Sequence, residues 1–342
     1  MLRFASCLLA ACAALGAARA APVVDALDRP ALMVREPARA VLLASARCGE
    51  RVVAVGERGI VVTSDDAGRS WRQARVPVSV TLTAVRCADA HTAYAAGHGG
   101  VVLASTDGGL TWAKRLDGRR AAQLALDAAR SGGDARAVQD AQRLVADGPD
   151  KPFLDLHFFD ARHGLVVGAY GLAFATEDGG QTWQPWMQRL PNPKGNHFYA
   201  LRVQGDTLLL AGEQGLVLLS TDAGRSFRKL ELPYQGSFFT AELAGRDMIV
   251  AGLRGNAWRS SDGGANWAQL AAPSPVSFTA STVLPGDGVL LANQAGELLR
   301  VDGSSLTPVQ LPALPPLNAL QALGAHALLA LGVQGAIPVP LP

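Results

Sequence analysis

Ser105-Thr106-Asp107-Gly108-Gly109-Leu110-Thr111-Trp112 is the stretch that decides the fold, because the chain repeats it. The shared frame is Ser/Thr-x-Asp-x-Gly-x-Ser/Thr-Trp, and further copies, the last two looser, lie at residues 64–71, 176–183, 220–227 and 260–267. Each copy separates two apolar runs, which is typical of a β-hairpin connection. The aspartate can accept hydrogen bonds from turn amides, and the glycine suits a backbone position with positive φ. We therefore predict a structural role for Asp66, Trp71, Asp107, Trp112, Asp178, Trp183, Asp222, Asp262 and Trp267.

The spacing of the repeats predicts the architecture. Successive aspartates of the frame lie 41, 71, 44 and 40 residues apart, and a period near 40 with strand-like content is typical of a β-propeller. A Gly-x-x-Gly turn marks the units at residues 56–59, 97–100, 168–171, 212–215 and 252–255. It persists after the frame has decayed, at residues 332–335 and, with Asn293 in place of the first glycine, at residues 293–296. The sequence thus predicts one all-β domain over residues 21–342, a seven-bladed β-propeller of four-stranded antiparallel blades.

Two segments stand outside the repeat. Residues 117–150 are Ala-rich with a Ser131-Gly132-Gly133-Asp134 break, which predicts a small helical hairpin insertion with Asp134 as an N-cap. This hairpin is either a solvated surface or an arm that docks a partner. The seventh unit ends without a fourth strand, so we predict that a strand at residues 31–35 completes the last blade and closes the ring.

The amino terminus predicts export. An apolar run follows Arg3, and Ala18-Arg19-Ala20 fits a cleavage site, so residues 1–20 are interpreted as a signal peptide of a periplasmic protein. Leu9-Ala10-Ala11-Cys12 offers an alternative, in which Cys12 carries a lipid anchor. Cys48 and Cys87 remain in the mature chain, where a disulfide and two buried thiols are both open.

The candidate binding face is the one that carries the Gly-x-x-Gly turns, because in a four-stranded blade it also carries the insertion. Middle positions of the turns are Arg58, His98, Tyr170, Gln214, Arg254, Gln294 and Gln334. First strands add a polar column of Thr83, Asp155, Tyr199, Thr240, Thr279 and Asn318. From these sets the predicted binding residues are Arg58, His98, Tyr170, Gln214, Arg254, Asp155 and Tyr199, against the alternative that polar turn residues are only solvated.

Composition and motifs argue against several functions. The charges nearly cancel, with 31 Lys+Arg against 29 Asp+Glu and no basic stripe, which argues against nucleic-acid binding. No Cys/His cluster has metal-site spacing, and no cofactor is predicted. A sialidase-like glycoside hydrolase is the enzymatic alternative, but the candidate acids Asp155, Glu213 and Glu242 share no motif. We therefore predict a protein that is not an enzyme.

The repeated frame resembles the Asp-box of BNR-type β-propellers. The whole mature chain resembles the Ycf48-type assembly and stability factors of photosystem II, most clearly at residues 53–71 and less cleanly at residues 94–112. That resemblance implies an extracytoplasmic, non-catalytic seven-bladed propeller that binds membrane-protein precursors. The expected partner is a membrane or envelope protein, which is a photosystem subunit in a phototroph or a protein such as a transporter elsewhere. A monomer is expected.

Overall fold

The computed structural model describes residues 24–342, so the signal-peptide and Cys12 predictions lie outside the described residues. Within them, the strands form seven antiparallel sheets, the blades. The first strands of consecutive blades pack on one another, and the first strand of blade seven packs on that of blade one, which closes a ring. The predicted all-β seven-bladed propeller is confirmed.

The strands follow the chain without crossovers. Blade one has β1 (Leu42–Cys48), β2 (Arg51–Gly56), β3 (Val61–Ser64) and β4 (Arg72–Gln73). Blade two has β5 (Leu82–Cys87), β6 (Ala93–Gly97), β7 (Val101–Ser105) and β8 (Ala113–Leu116). Blade three has β9 (Phe153–Phe158), β10 (Gly164–Gly168), β11 (Ala173–Thr176) and β12 (Gln184–Pro185). Blade four has β13 (Phe198–Gln204), β14 (Thr207–Gly212), β15 (Val217–Ser220) and β16 (Arg228–Lys229).

Blade five has β17 (Phe238–Ala244), β18 (Asp247–Gly252), β19 (Ala257–Ser260) and β20 (Ala268–Gln269). Blade six has β21 (Phe278–Val283), β22 (Val289–Asn293), β23 (Leu298–Asp302) and β24 (Ser305–Pro308). Blade seven has β25 (Leu317–Ala322), β26 (Ala327–Gly332) and β27 (Gly335–Pro340). The second strand of each blade is almost wholly buried, which explains its continuous apolar sequence.

The prediction that residues 31–35 complete blade seven is wrong. Over the described chain, blade seven has three strands, and residues 31–35 form no strand. Leu341 N donates to His326 O, so alternate positions of β27 face β26 and the outward positions include Pro338 and Pro340. Proline has no N–H to donate, so this edge cannot support a regular fourth strand. The ring closes instead through apolar contacts, such as those of Leu42 and Val62 with Leu329.

The helical insertion is confirmed between blades two and three. Helix α1 (Gly118–Gly132) and helix α2 (Ala135–Asp147) form the hairpin, and the Asp134 carboxylate accepts hydrogen bonds from the Arg136 and Ala137 amides as the predicted N-cap. The buried alanines of α1 pack on Phe153 and Phe174 of blade three. The base of the hairpin lies beside a Gly-x-x-Gly turn, because Gly118 approaches the Gly99 carbonyl.

The Asp-boxes have the predicted structural role at the β3–β4, β7–β8, β11–β12, β15–β16 and β19–β20 turns. In the second box, Asp107 Oδ1 accepts from Leu110 N (3.0 Å) and Thr111 N (2.9 Å), and Asp107 Oδ2 accepts from Thr111 Oγ1 (2.6 Å). Trp112 Nε1 donates to Gly109 O at 2.9 Å. These local bonds hold the turn, so the motif is scaffold.

Cys48 and Cys87 form a disulfide, which decides between the two alternatives left open by the sequence. Their Cα atoms are 5.3 Å apart, and the bond links β1 of blade one to β5 of blade two. The cross-link lies between the first strands of adjacent blades, where it holds blades one and two together.

Candidate functional site

A ring of seven bulge residues lines the central channel. The register of the first strand shifts in every blade, just after a fully buried Leu or Phe. A bulge leaves one residue out of the ladder and redirects its side chain. The bulge residues line a cavity of about 200 Å³ on the axis and are Leu43, Thr83, Leu154, Tyr199, Phe239, Thr279 and Asn318.

The predicted polar column is only partly correct. Thr83, Tyr199, Thr279 and Asn318 are bulge residues, but Asp155 and Thr240 lie one position later. The sequence does not show where each strand bulges, and a slip of one residue changes the direction of a side chain. Three of the polar bulge residues join neighbouring blades, because Thr83 Oγ1, Thr279 Oγ1 and Asn318 Nδ2 donate to carbonyls of the next first strand at 2.7, 2.7 and 3.0 Å.

Asp155 is part of a buried charge network, and both of its carboxylate oxygens accept hydrogen bonds from within the chain. Its carboxylate accepts from Arg86 Nη2 (2.9 Å), Arg202 Nη1 (2.7 Å), Leu156 N (2.9 Å) and Leu201 N (3.0 Å). Arg202 Nε also lies 3.5 Å from Glu242 Oε2. These contacts give Asp155 a structural role in the ring, while its predicted binding role stays a prediction.

Burial and the charges of this network shift the pKa values of Arg86, Arg202 and His157. Burial lowers the pKa of Arg86, whereas for Arg202 the opposing effects of Glu242 and Asp155 exceed burial and raise the pKa. Burial, assisted by Arg86, lowers the pKa of His157 to about 4, so this imidazole is neutral near pH 7. Sequence reasoning missed Arg86 and Arg202, although an arginine inside an otherwise buried strand calls for a counter-ion.

The Gly-x-x-Gly turns present exposed side chains on one end of the ring. The second middle residue is left-handed, with φ of 52° at Arg58, 57° at Tyr170, 54° at Gln214 and 56° at Arg254. The first glycine is needed because a Cβ on Gly56 would lie 2.0 Å from Val41 O. Blade two has Gly99 at the left-handed position, so His98 is exposed but is not equivalent to the other four.

Four residues form an aromatic strip, which we define as Tyr170, His197, Tyr199 and Phe239. Ring centroids are separated by 4.8 Å from Tyr170 to His197, 6.0 Å from His197 to Tyr199, and 5.3 Å from Tyr199 to Phe239. The strip runs from a Gly-x-x-Gly turn of blade three, across blade four, to the channel mouth at blade five. Sequence reasoning identified Tyr170 and Tyr199 but missed His197 and Phe239, whose only signal was their place just before or within a first strand.

Charged side chains contact Tyr170 and His197, the two residues of the strip that are farthest from the channel. His197 Nδ1 lies 2.9 Å from Glu213 Oε2, and Lys151 Nζ lies 5.2 Å from the centroid of the Tyr170 ring. Tyr170 is 60% exposed, although a bulky side chain at positive φ is strained. An exposed aromatic ring in a strained conformation is a frequent feature of binding surfaces. The strip can therefore offer ring faces to an extended, partly apolar segment.

The described residues were compared with the requirements of a metal site and of a membrane-spanning helix. Over residues 24–342, no group of three or more His, Cys, Asp or Glu side chains is arranged to hold a metal ion. Neither α1 nor α2, nor any shorter helix of that range, has the length and apolar character needed to span a bilayer.

Comparisons of the sequence with known proteins find similarity to one family over part of the chain. Residues 136–274 match the family model described as photosynthesis system II assembly factor YCF48. A curated relative, photosystem II assembly lipoprotein Ycf48 of Synechococcus sp. (strain CC9902), is 33% identical over 79 residues, which are 23% of this chain. The chain spans about a quarter of that relative's length (24%).

Solved structures are similar over most of the ring. A structure of YCF48 bound to D1 peptide has a TM-score of 0.66 at 15% identity, covering 92% of this chain and 99% of that one. YCF48 from Cyanidioschyzon merolae gives 0.64 at 14% identity, covering 90% and 97%. The WD40 propeller domain of Doa1 gives 0.60 at 11% identity, covering 91% and 95%, so these likenesses show the fold.

The family match has a definite place in the structure. Residues 136–274 include every strand of blades three, four and five, which are also the blades that carry the aromatic strip. The chain is therefore a β-propeller that is similar to the Ycf48 family in sequence over these three blades, and to solved propellers in fold around the whole ring.

Proposed function

We propose that this chain is a non-catalytic assembly or stability factor that binds a membrane protein through the aromatic strip. The observation that carries the proposal is the coincidence of a continuous aromatic strip, exposed at Tyr170 and half-buried at its other three rings, with the blades that match the Ycf48 family model. Aromatic side chains are enriched in protein interfaces, because they bury a large area at little entropic cost. The similar structure that holds YCF48 with a D1 peptide makes a peptide segment the favoured ligand.

The surroundings of the strip suit an extended segment of mixed polarity. Gln214 and Arg254 are exposed at left-handed turn positions of blades four and five, and Arg58 is exposed at that of blade one. Among residues 24–342, neither Arg58 nor Arg254 has an ion-pair partner. The partner segment would place apolar or aromatic groups on the strip and its carbonyls or acidic groups near these donors. In a phototroph, a photosystem subunit is the proposed partner.

The carboxylates considered for a glycoside hydrolase are engaged elsewhere. Asp155 bonds to two arginines, Glu242 accepts from Ser281 Oγ at 2.6 Å, and Glu213 accepts from His197 N at 3.1 Å. A general acid of this class needs a raised pKa and access to the substrate oxygen. Such committed carboxylates favour the binding role over the enzymatic one.

We also propose that the protein acts outside the cytoplasm as a monomer. The Cys48–Cys87 disulfide suits an oxidising compartment, and the Synechococcus relative is named a lipoprotein. Both agree with the export signal read in residues 1–20, and the relative's name gives weight to a lipid anchor at Cys12.

The proposal is tested by recovery of the partner from crosslinked envelope. Tyr170→Ala combined with Phe239→Ala removes both ends of the strip, while the inner scaffold keeps its contacts. Truncating two aromatic anchors at an interface costs about 2 kcal/mol or more, so we expect about thirtyfold weaker binding. Titration of the purified variant against the identified partner measures that change.

The matched control is Arg225→Ala, an exposed residue of the Asp-box turn at the opposite end of blade four. We expect this variant to bind like the unchanged chain. Equal recovery by the folded double variant would exclude the strip as the binding site. Turnover of a glycoside panel that is lost on Glu242→Gln would favour the enzymatic alternative.

A further inference from the structure

Residues 24–41 form an amino-terminal strap across one side of the binding face. Leu27 is buried (2% exposed) and lies on Gly99, where a Cβ would come within 2.8 Å of its Cδ2. Ala31 N donates to Val76 O at 3.0 Å, and the Ala38 carbonyl lies beside Gly335. The strap therefore passes the Gly-x-x-Gly turns of blades two, one and seven, whereas the aromatic strip occupies blades three to five.

The strap carries an apolar tip, which we define as Leu32, Met33 and Val34. These side chains are 76%, 60% and 42% exposed. Gln73 of β4 fixes their backbone, because its Oε1 accepts from Val34 N at 2.9 Å and its Nε2 donates to Leu32 O at 2.8 Å. Single exposed apolar residues are ordinary, but three in succession on a fixed backbone indicate a contact surface.

The charge around the apolar tip is positive. Arg29, Arg35 and Arg75 are exposed, and within residues 24–342 none of the three has an ion-pair partner. Nearby acids are already neutralised, which leaves these arginines as an uncompensated surplus. The neutralised acids are Asp25 and Asp28, held by Arg119 and Lys114, together with Glu36, held by Arg39, and Asp65, held by Arg51 and Arg72.

We propose that the apolar tip and its three arginines form a peripheral contact with a bilayer that contains anionic lipids. Interfacial binding needs apolar side chains that enter the headgroup region and cations that meet lipid phosphates, and both are present here. A second protein is the poorer occupant, because three side chains cover far less than the ~800 Å² per partner of a stable interface.

The contact gives the ring an orientation. The tip is held at β4, the outermost strand of blade one, and the strap on either side of it contacts Gly-x-x-Gly turns. We therefore expect a bilayer that holds the tip to lie on the side of the ring that carries these turns and the aromatic strip. A segment emerging from a membrane protein then meets the strip without a search in three dimensions. This inference stands apart from the proposed function, because it requires no particular protein partner.

The test is vesicle flotation of the chain that begins at Ala21, which contains every described residue. Vesicles of phosphatidylcholine alone are compared with vesicles that also contain phosphatidylglycerol. We expect flotation with the anionic vesicles, weakened by added salt because exposed charges are screened. Leu32→Ser, Met33→Ser and Val34→Ser together should lower the apparent partition coefficient about tenfold.

A second variant tests the charges. Arg29→Gln, Arg35→Gln and Arg75→Gln together should remove the preference for anionic vesicles and the salt dependence. The matched controls are Val145→Ser, an apolar side chain of α2 that is 41% exposed, and Arg69→Gln with Arg225→Gln on Asp-box turns. Both controls should float like the unchanged chain, and equal melting temperatures verify that each variant is folded.

Three results would overturn the membrane contact. The first is the absence of flotation by the unchanged chain on anionic vesicles, and the second is equal flotation by the Leu32, Met33 and Val34 variant. The third is a concentration-dependent dimer in light scattering that this variant abolishes, which would assign the tip to a second copy. Aromatic-strip variants should leave flotation unchanged, so failure here is distinguishable from failure of the proposed function.

Discussion

Asp155 illustrates how a single position in this ring acquires its role. Its side chain is 7% exposed and meets guanidinium groups from the first strands of blades two and four. A buried carboxylate stabilises the fold only when charged partners lie beside it, because an unpaired buried charge lowers the free energy of unfolding. Asp155 therefore holds three blades in their relative positions.

Replacing Asp155 with Asn should destabilise the protein by about 3–5 kcal/mol, because Arg86 and Arg202 lose their shared counter-ion. Chemical denaturation measures this, with the exposed Asp127→Asn as a control expected within about 0.5 kcal/mol of the unchanged chain. Partner binding by the folded Asp155→Asn protein should be unaffected. A loss of binding without a loss of stability would restore the ligand role that its sequence position had suggested.

Single positions also show which parts of the channel lining could be predicted from the repeat. Thr83 and Thr279 are where the repeat predicts, but Asp155 and Thr240 are one position past the bulge. Each bulge follows a buried Leu or Phe, but such residues recur throughout the strands, so the position of the bulge could not be counted from the sequence. His197 and Phe239 were missed for the same reason, since only the folded ring brings blades four and five together.

The Asp-box turn is the element whose chemistry the sequence revealed most completely. The Ser/Thr hydroxyl, the aspartate and the glycine occur together because each one satisfies the others within eight residues. In all five boxes the glycine N–H donates to the hydroxyl of the first residue, at 2.8 or 2.9 Å. Local bonding of this kind needs no tertiary context and is therefore readable from the chain alone.

The boxes should make the fold sensitive to acid. Hydrogen bonds, first from the Ser or Asn four residues on, lower the pKa of Asp66, Asp222 and Asp262 to about 2 from an ordinary 3.8. Between those two values the unfolded chain binds more protons than the native one, so stability falls as pH drops from 4 towards 2.

Thermal unfolding at stepped pH measures this loss. Asp222→Asn, which cannot titrate, should melt at a lower temperature at pH 5 and lose less between pH 4 and pH 2. His157 titrates in a separate window, from 6.5 down to about 4, where the unfolded state again binds more protons. An unchanged pH profile for Asp222→Asn would show that the box carboxylates contribute nothing to acid sensitivity.

For the whole molecule, the number of blades and the place of the insertion followed from spacing, because a propeller repeats one local unit. Closure of the ring did not follow, since it depends on what meets the last blade. Pro338 and Pro340 close off one edge, and the strap that was expected there lies instead over the turns of blades two, one and seven. Contacts between distant segments do not recur at a fixed spacing in the sequence. The sequence around Leu27 therefore contains no pattern that predicts its packing on Gly99.

The two ends of the ring differ in what their turns contain. The Asp-box end is held by local bonds, while the Gly-x-x-Gly end bears the aromatic strip, the base of the insertion and the strap. The side chain at the left-handed turn position changes from blade to blade at the second end, where Arg58, Gly99, Tyr170, Gln214 and Arg254 occupy one backbone position. Different side chains on a constant backbone are one reason why we propose this end as the recognition surface.

Site-specific photo-crosslinking in the native envelope tests most directly which end of the ring binds the partner. A photoreactive amino acid replaces Gln214, beside the aromatic strip, or Arg225, at the opposite end of the same blade. We expect an adduct with a membrane protein from position 214 and none from position 225. An adduct from position 225 alone would contradict this expectation, because the partner would then bind the end of the ring that we assign to scaffold.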